Sequence, residues 1–209
     1  LSGPSRASLI TGKTPVEIGI KDNGGSLSAE HMKNSLGFTV SGAGYDCLYA
    51  GKWHAPAEVN IPEEGTGFKK ICNMGDPTLV ESCIPHLQEK RNKPMFLVAS
   101  FLNPHEICEF ARDESLHYGQ LSIPSVEECP PLPYNAELPV YYPEALTLHR
   151  RWVPTSYPTE QSTDDDWRRS LYAYYRLGER VDNDLLKLLN ELKKNHLYDN
   201  SLILFVSDP

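Results

Sequence analysis

No stretch of this sequence stays apolar for long. The two longest runs, Met95 to Leu102 and Leu202 to Val206, fall far short of the ~20 residues a membrane-spanning helix needs, which excludes such a helix. Positive charge is also in deficit: 20 Lys and Arg stand against 28 Asp and Glu, a net −8. A general basic field for nonspecific nucleic-acid binding is therefore missing, although a local anion site is compatible with that balance. Cysteine is sparse and unpaired in pattern. Cys47, Cys72, Cys83, Cys108 and Cys129 are odd in number and form no close-spaced ligand knuckle. The pattern supports neither a disulfide scaffold nor a zinc site, and buried free thiols are the expectation. The start carries no methionine, basic segment or apolar signal region, and the end at Ser207-Asp208-Pro209 directly follows an apolar run. The expectation is a fragment of a longer chain.

What is present is globular in kind. Of 209 residues, 40% are apolar and 23% charged, enough to bury the core of one large α/β unit and unlike a disordered or coiled-coil chain. Pro4 to Ile10 reads as a helix with proline in its first turn and Gly12 at its end. Ser28 to Leu36 reads as a short helix closed by Gly37. Tyr45 to Ala50 reads as a strand that delivers Lys52 and His54 into a strand-end loop. Asp76-Pro77 looks like the N-cap and first residue of a helix to about Arg91, with Leu79, Val80, Cys83, Ile84 and Leu87 on one face and a kink at Pro85. Met95 to Phe101 is a continuous apolar strand of the kind buried between helix layers, followed by Asn103-Pro104-His105.

From about Glu109 to Thr163 the periodicity dissolves. This stretch holds eight of the 17 prolines and several tyrosines, and it reads as a long functional excursion. Asp164 to about Asn195 is a long helix, with Tyr174, Leu177, Val181, Leu185, Leu188 and Leu192 at helical spacing. Leu202 to Val206 reads as another buried strand. Strands alternating with helices, without an internal repeat, predict a mostly parallel central sheet with helices on both faces. In such sheets ligands gather beyond the carboxyl ends of the strands, which points Lys52, His54, His105 and Asp208 toward one crevice.

The chemistry-bearing pattern begins at Ser2-Gly3-Pro4-Ser5-Arg6. A helix start offers free amide groups and a favourable dipole to an anion, and Arg6 adds a planar cationic fork. The first 54 residues carry five basic and four acidic side chains, so this cradle is spared the acidity of the rest. Ser2 through Lys13, Ser-Gly-Pro-Ser-Arg-Ala-Ser-Leu-Ile-Thr-Gly-Lys, resembles the signature of the type I sulfatases of the alkaline phosphatase superfamily. Gly51-Lys52-Trp53-His54 and Asn103-Pro104-His105 resemble two further blocks of that family in the same order. Ser207-Asp208 resembles the start of a later metal-binding element, in which Pro209 breaks the pattern.

The resemblance implies a partial N-terminal catalytic domain over 1–209. An upstream strand bearing two aspartates and a C-terminal subdomain would be absent, leaving the excerpt inactive by itself. It also implies Ser2 oxidised to formylglycine by a maturation enzyme, with Ca²⁺ held by residue 2 and Asp208. With Ca²⁺, Arg6 would favour the ionised oxygen that attacks sulfur, Lys52 would neutralise sulfate oxygens during the transfer, His105 would protonate the leaving alcohol, and His54 would take the proton that releases sulfate. The serine form implies a bacterial, periplasmic or secreted enzyme. The segment Glu106 to Arg112 resembles sulfatases acting on sulfated glycans. With the tyrosines of the excursion and the Arg150-Arg151 pair, it suggests a glycosaminoglycan or similar saccharide. A phosphonate or phosphate ester hydrolase of the same superfamily, and a noncatalytic sulfoglycan-binding relative with unmodified Ser2, are the alternatives.

Overall fold

A computed structural model describes residues 1–55, 65–137 and 139–207. The chain divides into two compact units, Leu1–Leu102 with Asp184–Pro209, and Asn103–Asn183.

The first unit opens with helix α1, Ser2–Thr11, two residues earlier than the sequence pattern suggests, and Gly12 ends it with φ 67. Helix α2, Pro15–Ile18, follows a Thr14–Glu17 capping box. In place of the single helix expected over 28–36 there are two, α3 (Ala29–Lys33), capped by Ser28, and α4 (Leu36–Gly42). Gly37 does not close a helix: it lies inside α4 because a Cβ there would come within 2.2 Å of the Thr66 carbonyl oxygen. Its function is close approach.

Strand β1 is Asp46–Gly51 and β2 is Lys69–Cys72. Four residues, two of them lysine, gave β2 no apolar run from which to be recognised. Helix α5, Asp76–Gln88, precedes β3, Met95–Ser100. Asp76 is the first residue of α5 and not its N-cap. Its buried carboxylate accepts the Leu102 amide at 2.6 Å, so it fastens the exit of β3.

The sheet is parallel in the order β2-β1-β3, with β1 and β3 in register from Asp46 opposite Met95 to Gly51 opposite Ser100. Alternate strand residues face opposite ways. Cys47, Tyr49, Phe96 and Val98 pack with Ala7, Ile10, Ile18 and Phe68, while Ala50, Leu97 and Ala99 pack with Leu79, Val80, Cys83 and Leu188. Both faces are apolar because both are covered, as expected of a parallel sheet. All five thiols are free; Cys47, Cys83 and Cys129 are buried, whereas Cys72 and Cys108 are partly exposed. Burial pushes the Cys83 thiol up to about 12.

Leu202 to Val206 is not the buried strand its composition suggests. Leu202 is 89% exposed and Leu204 and Phe205 are each 77% exposed, and residues 201–207 form no ladder among the described residues. Apolar sequence specifies a preference for burial, but a strand also needs a neighbour to take its amides and carbonyls.

In the second unit, α6 (Ile107–Ala111) and α7 (Glu144–Trp152) interrupt an otherwise irregular chain. Most of the 31-residue helix α8, Asp164–Lys194, also belongs here. A reciprocal Thr163–Asp166 cap starts α8. The excursion is pinned rather than loose: Arg168 donates to the Cys129 and Pro130 carbonyls, and Arg180 to that of Gly119. The arginines thus satisfy carbonyls that lack a ladder partner. The Tyr157 hydroxyl donates to Cys108 Sγ at 3.3 Å. No described helix is long and apolar enough to cross a membrane.

Candidate active site

In the first unit the site is built where α1 meets the exits of β1 and β3. Gly51, the last residue of β1, has φ 93, and a Cβ there would lie 2.1 Å from the Ser100 carbonyl oxygen. That closeness lets the Lys52 amide donate to the same oxygen at 2.8 Å. Lys52 is 5% exposed and Trp53 fully buried, the indole standing edge-on to Tyr49 with centroids 5.1 Å apart. The Tyr49 hydroxyl donates to the Lys52 carbonyl at 2.8 Å.

Arg6 closes this arrangement. Its Nη1 donates to the carbonyls of Lys52 at 3.0 Å and Trp53 at 3.3 Å and to Ser100 Oγ at 2.9 Å. Arg6 is therefore a brace between α1 and the Gly51–His54 turn as well as a local positive charge. Ser2 and Arg6 stand four residues apart on α1 and so share one face. The Gly3 amide, one of the free donors at the helix start, goes to Asn23 Oδ1 at 2.9 Å. The first turn of α1 carries no acidic residue, so nothing there opposes an anion. His54 ends the turn at φ 48, a left-handed conformation that costs a non-glycine residue free energy and concentrates at functional positions.

His105 belongs to the second unit, exposed in the turn after a cis Asn103–Pro104 bond. The same unit contains a cavity of about 950 Å³ lined in part by Tyr134, Glu137, Arg150, Asp164, Trp167 and Tyr174. Of the Arg150-Arg151 pair, Arg150 is the one that lines it.

The sulfatase family model matches residues 1–208. The chain belongs to the sulfatase family. It is 22% identical to the Delta 4,5-hexuronate-2-O-sulfatase of Bacteroides thetaiotaomicron over its full length and 46% of that protein. It is 26% identical to an uncharacterized sulfatase of Escherichia coli strain K12, again over its full length and 38% of the relative. The chain thus spans less than half the length of these curated relatives. Among solved structures, a 2-O GAG sulfatase superposes with a TM-score of 0.74 at 22% identity, over 96% of this chain and 46% of that one. A phosphonate monoester hydrolase from Silicibacter pomeroyi gives 0.61 at 16% identity, over 96% and 51%. These likenesses show the fold, with the parallel sheet and covering helices read from the sequence.

Within this sulfatase chain, Ser2, Arg6, Lys52 and His54 lie in one unit on α1 and the turn after β1, and His105 lies in the other. Asp208 lies outside the described residues. Calcium takes six to eight oxygen ligands, and no group of three or more His, Cys, Asp or Glu side chains among the described residues could hold a metal. With Asp208 outside them, the described residues hold only part of the calcium site expected from the sequence, and no step below passes through a metal. Lys13, the last residue of the signature, places Nζ 3.3 Å from His31 Nδ1 at the surface.

The sequence reading missed Asn23, Tyr49 and Ser100. Ser100 had a signal, a polar residue ending an apolar strand. Asn23 and Tyr49 had none, because their partners are distant in sequence.

Proposed function

We propose that the full-length protein hydrolyses sulfate esters of a glycan, with Ser2 as the residue converted to the nucleophile. The observation that carries this reading is the Arg6 brace, which ties the helix start holding Ser2 to the turn holding Lys52 and His54. Converted to formylglycine by a maturation enzyme, residue 2 would supply a hydrated aldehyde, one hydroxyl to attack sulfur and a second to let sulfate depart. Around it, Arg6 and Lys52 bind the sulfate oxygens and meet the charge that gathers there as the ester bond breaks. His105 gives a proton to the leaving sugar oxygen, and His54 takes the proton whose loss frees sulfate.

A glycan substrate draws support from the named activities of the sulfatases reported above and from the second-unit cavity. Tyr134, Trp167 and Tyr174 offer ring faces to a sugar, and Arg150 offers a fork to a carboxylate or second sulfate. A periplasmic or secreted location belongs to this reading. Mass spectrometry of the peptide containing residue 2, from protein expressed with the maturation enzyme, should show it two hydrogens lighter than serine. An unmodified serine in active protein would overturn the nucleophile assignment, and in inactive protein would favour a sulfoglycan-binding role. The phosphonate monoester hydrolase fold likeness favours one second reading, hydrolysis of a phosphonate ester at the same cradle, since a tetrahedral anion site does not by itself separate sulfur from phosphorus.

A further inference from the structure

The turn that presents His105 is clasped across its base. Glu106 is completely buried. Its carboxylate Oε2 accepts Asn103 Nδ2 at 2.9 Å, and its own amide donates to Asn103 Oδ1 at 3.3 Å. This reciprocal pair closes a ring around Pro104 and His105. The other carboxylate oxygen accepts the Tyr118 amide at 2.9 Å, and Arg180 of α8 brings Nη1 to 3.6 Å from Oε2. Behind the turn, the Ile107 and Cys108 amides donate to the Pro104 and His105 carbonyls at 3.1 and 3.0 Å.

A buried carboxylate is costly unless charge and hydrogen bonds compensate it. Here the compensating groups come from three separate stretches of chain: Asn103, Tyr118 and Arg180. The apolar face of a helix would hold α6 in place at lower cost, so packing alone does not call for a glutamate at this position. What the carboxylate adds is angular definition of a two-residue span.

We infer that Glu106, braced by Arg180, is a positioning residue that fixes the direction in which His105 offers its proton. The inference rests on the reading of His105 as proton donor to a leaving alcohol. A proton donor matters in proportion to how poor the leaving group is. A sugar alkoxide needs it, and a nitrophenolate departs with little help.

The test compares kcat/KM for a sugar sulfate with that for nitrophenyl sulfate in the full-length protein. His105→Ala should lower the sugar-to-aryl ratio by about 10²–10⁴. Glu106→Gln should lower it by about tenfold or more, because glutamine keeps the volume but has one acceptor where donors converge on two oxygens. Should Glu106→Gln lose its cooperative thermal transition, Arg180→Lys is measured in its place and should lower the same ratio by a smaller factor. Equal losses on both esters, or an unchanged ratio beside a collapsed one for His105→Ala, overturn the positioning role alone. An unchanged ratio for His105→Ala, or no sulfate release from either ester by the wild type, overturns the reading beneath it.

Discussion

At Arg6 the carbonyl oxygens of Lys52 and Trp53 and the Ser100 hydroxyl all lie within 3.3 Å of Nη1. A lysine Nζ would stand at about the place of the guanidinium carbon, one bond short of Nη1, on a flexible stem in place of a planar group. Arg6→Lys keeps the sign of the site but leaves part of this array unserved. The expected cost is about 1–3 kcal/mol of stability, the range for stranding buried hydrogen-bonding groups, read as a lower urea midpoint. Sulfate hydrolysis should fall as well, by about fivefold or more where the same ~1–3 kcal/mol is lost from transition-state binding, at one order of magnitude per 1.4 kcal/mol. A lysine variant with an unchanged midpoint would show that the Gly51–His54 turn holds its shape without the brace. Arg6 also marks how far the sequence could be read at this scale. Its type and its place four residues after Ser2 were legible as an anion fork. Its contacts with residues 46, 47 and 94 positions away were not, because local sequence does not say which distant groups a side chain will meet.

Among the elements, the β1 exit controls the site. Gly51 combines a φ of 93 with a Cβ direction blocked by the Ser100 carbonyl oxygen at 2.1 Å and Leu79 Cδ1 at 2.7 Å. An alanine there meets backbone strain and overpacking together, each worth about 1–3 kcal/mol. Gly51→Ala is accordingly expected to lose about 2–5 kcal/mol in denaturant unfolding. The hydrogen bond from the Lys52 amide to the Ser100 carbonyl should break, seen as faster hydrogen exchange at Lys52. Retention of wild-type stability would contradict the tight β1–β3 exit. The elements recognised in advance are those with a long period or a long run: α1, β1, α5, β3 and α8. Those missed depend on partners. β2 is four residues paired, among the described residues, only to β1, and α4 tolerates Gly37 because the chain at Thr66 passes so close. Leu202–Val206 shows the reverse failure, an apolar run without a strand beside it among the described residues.

For the molecule as a whole, sequence signal and fold agree where local preference and tertiary demand coincide. The parallel sheet follows from β1 and β3, apolar on both faces and covered on both. The excursion was legible as a departure from periodicity, yet its order comes from Arg168 and Arg180 reaching carbonyls 38 to 61 residues away, which no local pattern encodes. The site was legible as three short blocks whose chemistry is strong and whose geometry is not written in them. The central claim is that this sulfatase chain supplies a cradle for a sulfuryl group with residue 2 as its nucleophile. The most direct measurement is release of the shared alcohol by matured full-length protein from matched sulfate and phosphonate monoesters, beside the Ser2→Ala variant. The account predicts preferential release from the sulfate ester and its loss in Ser2→Ala. Preference for the phosphonate ester, or release from the sulfate ester that persists without Ser2, would contradict it.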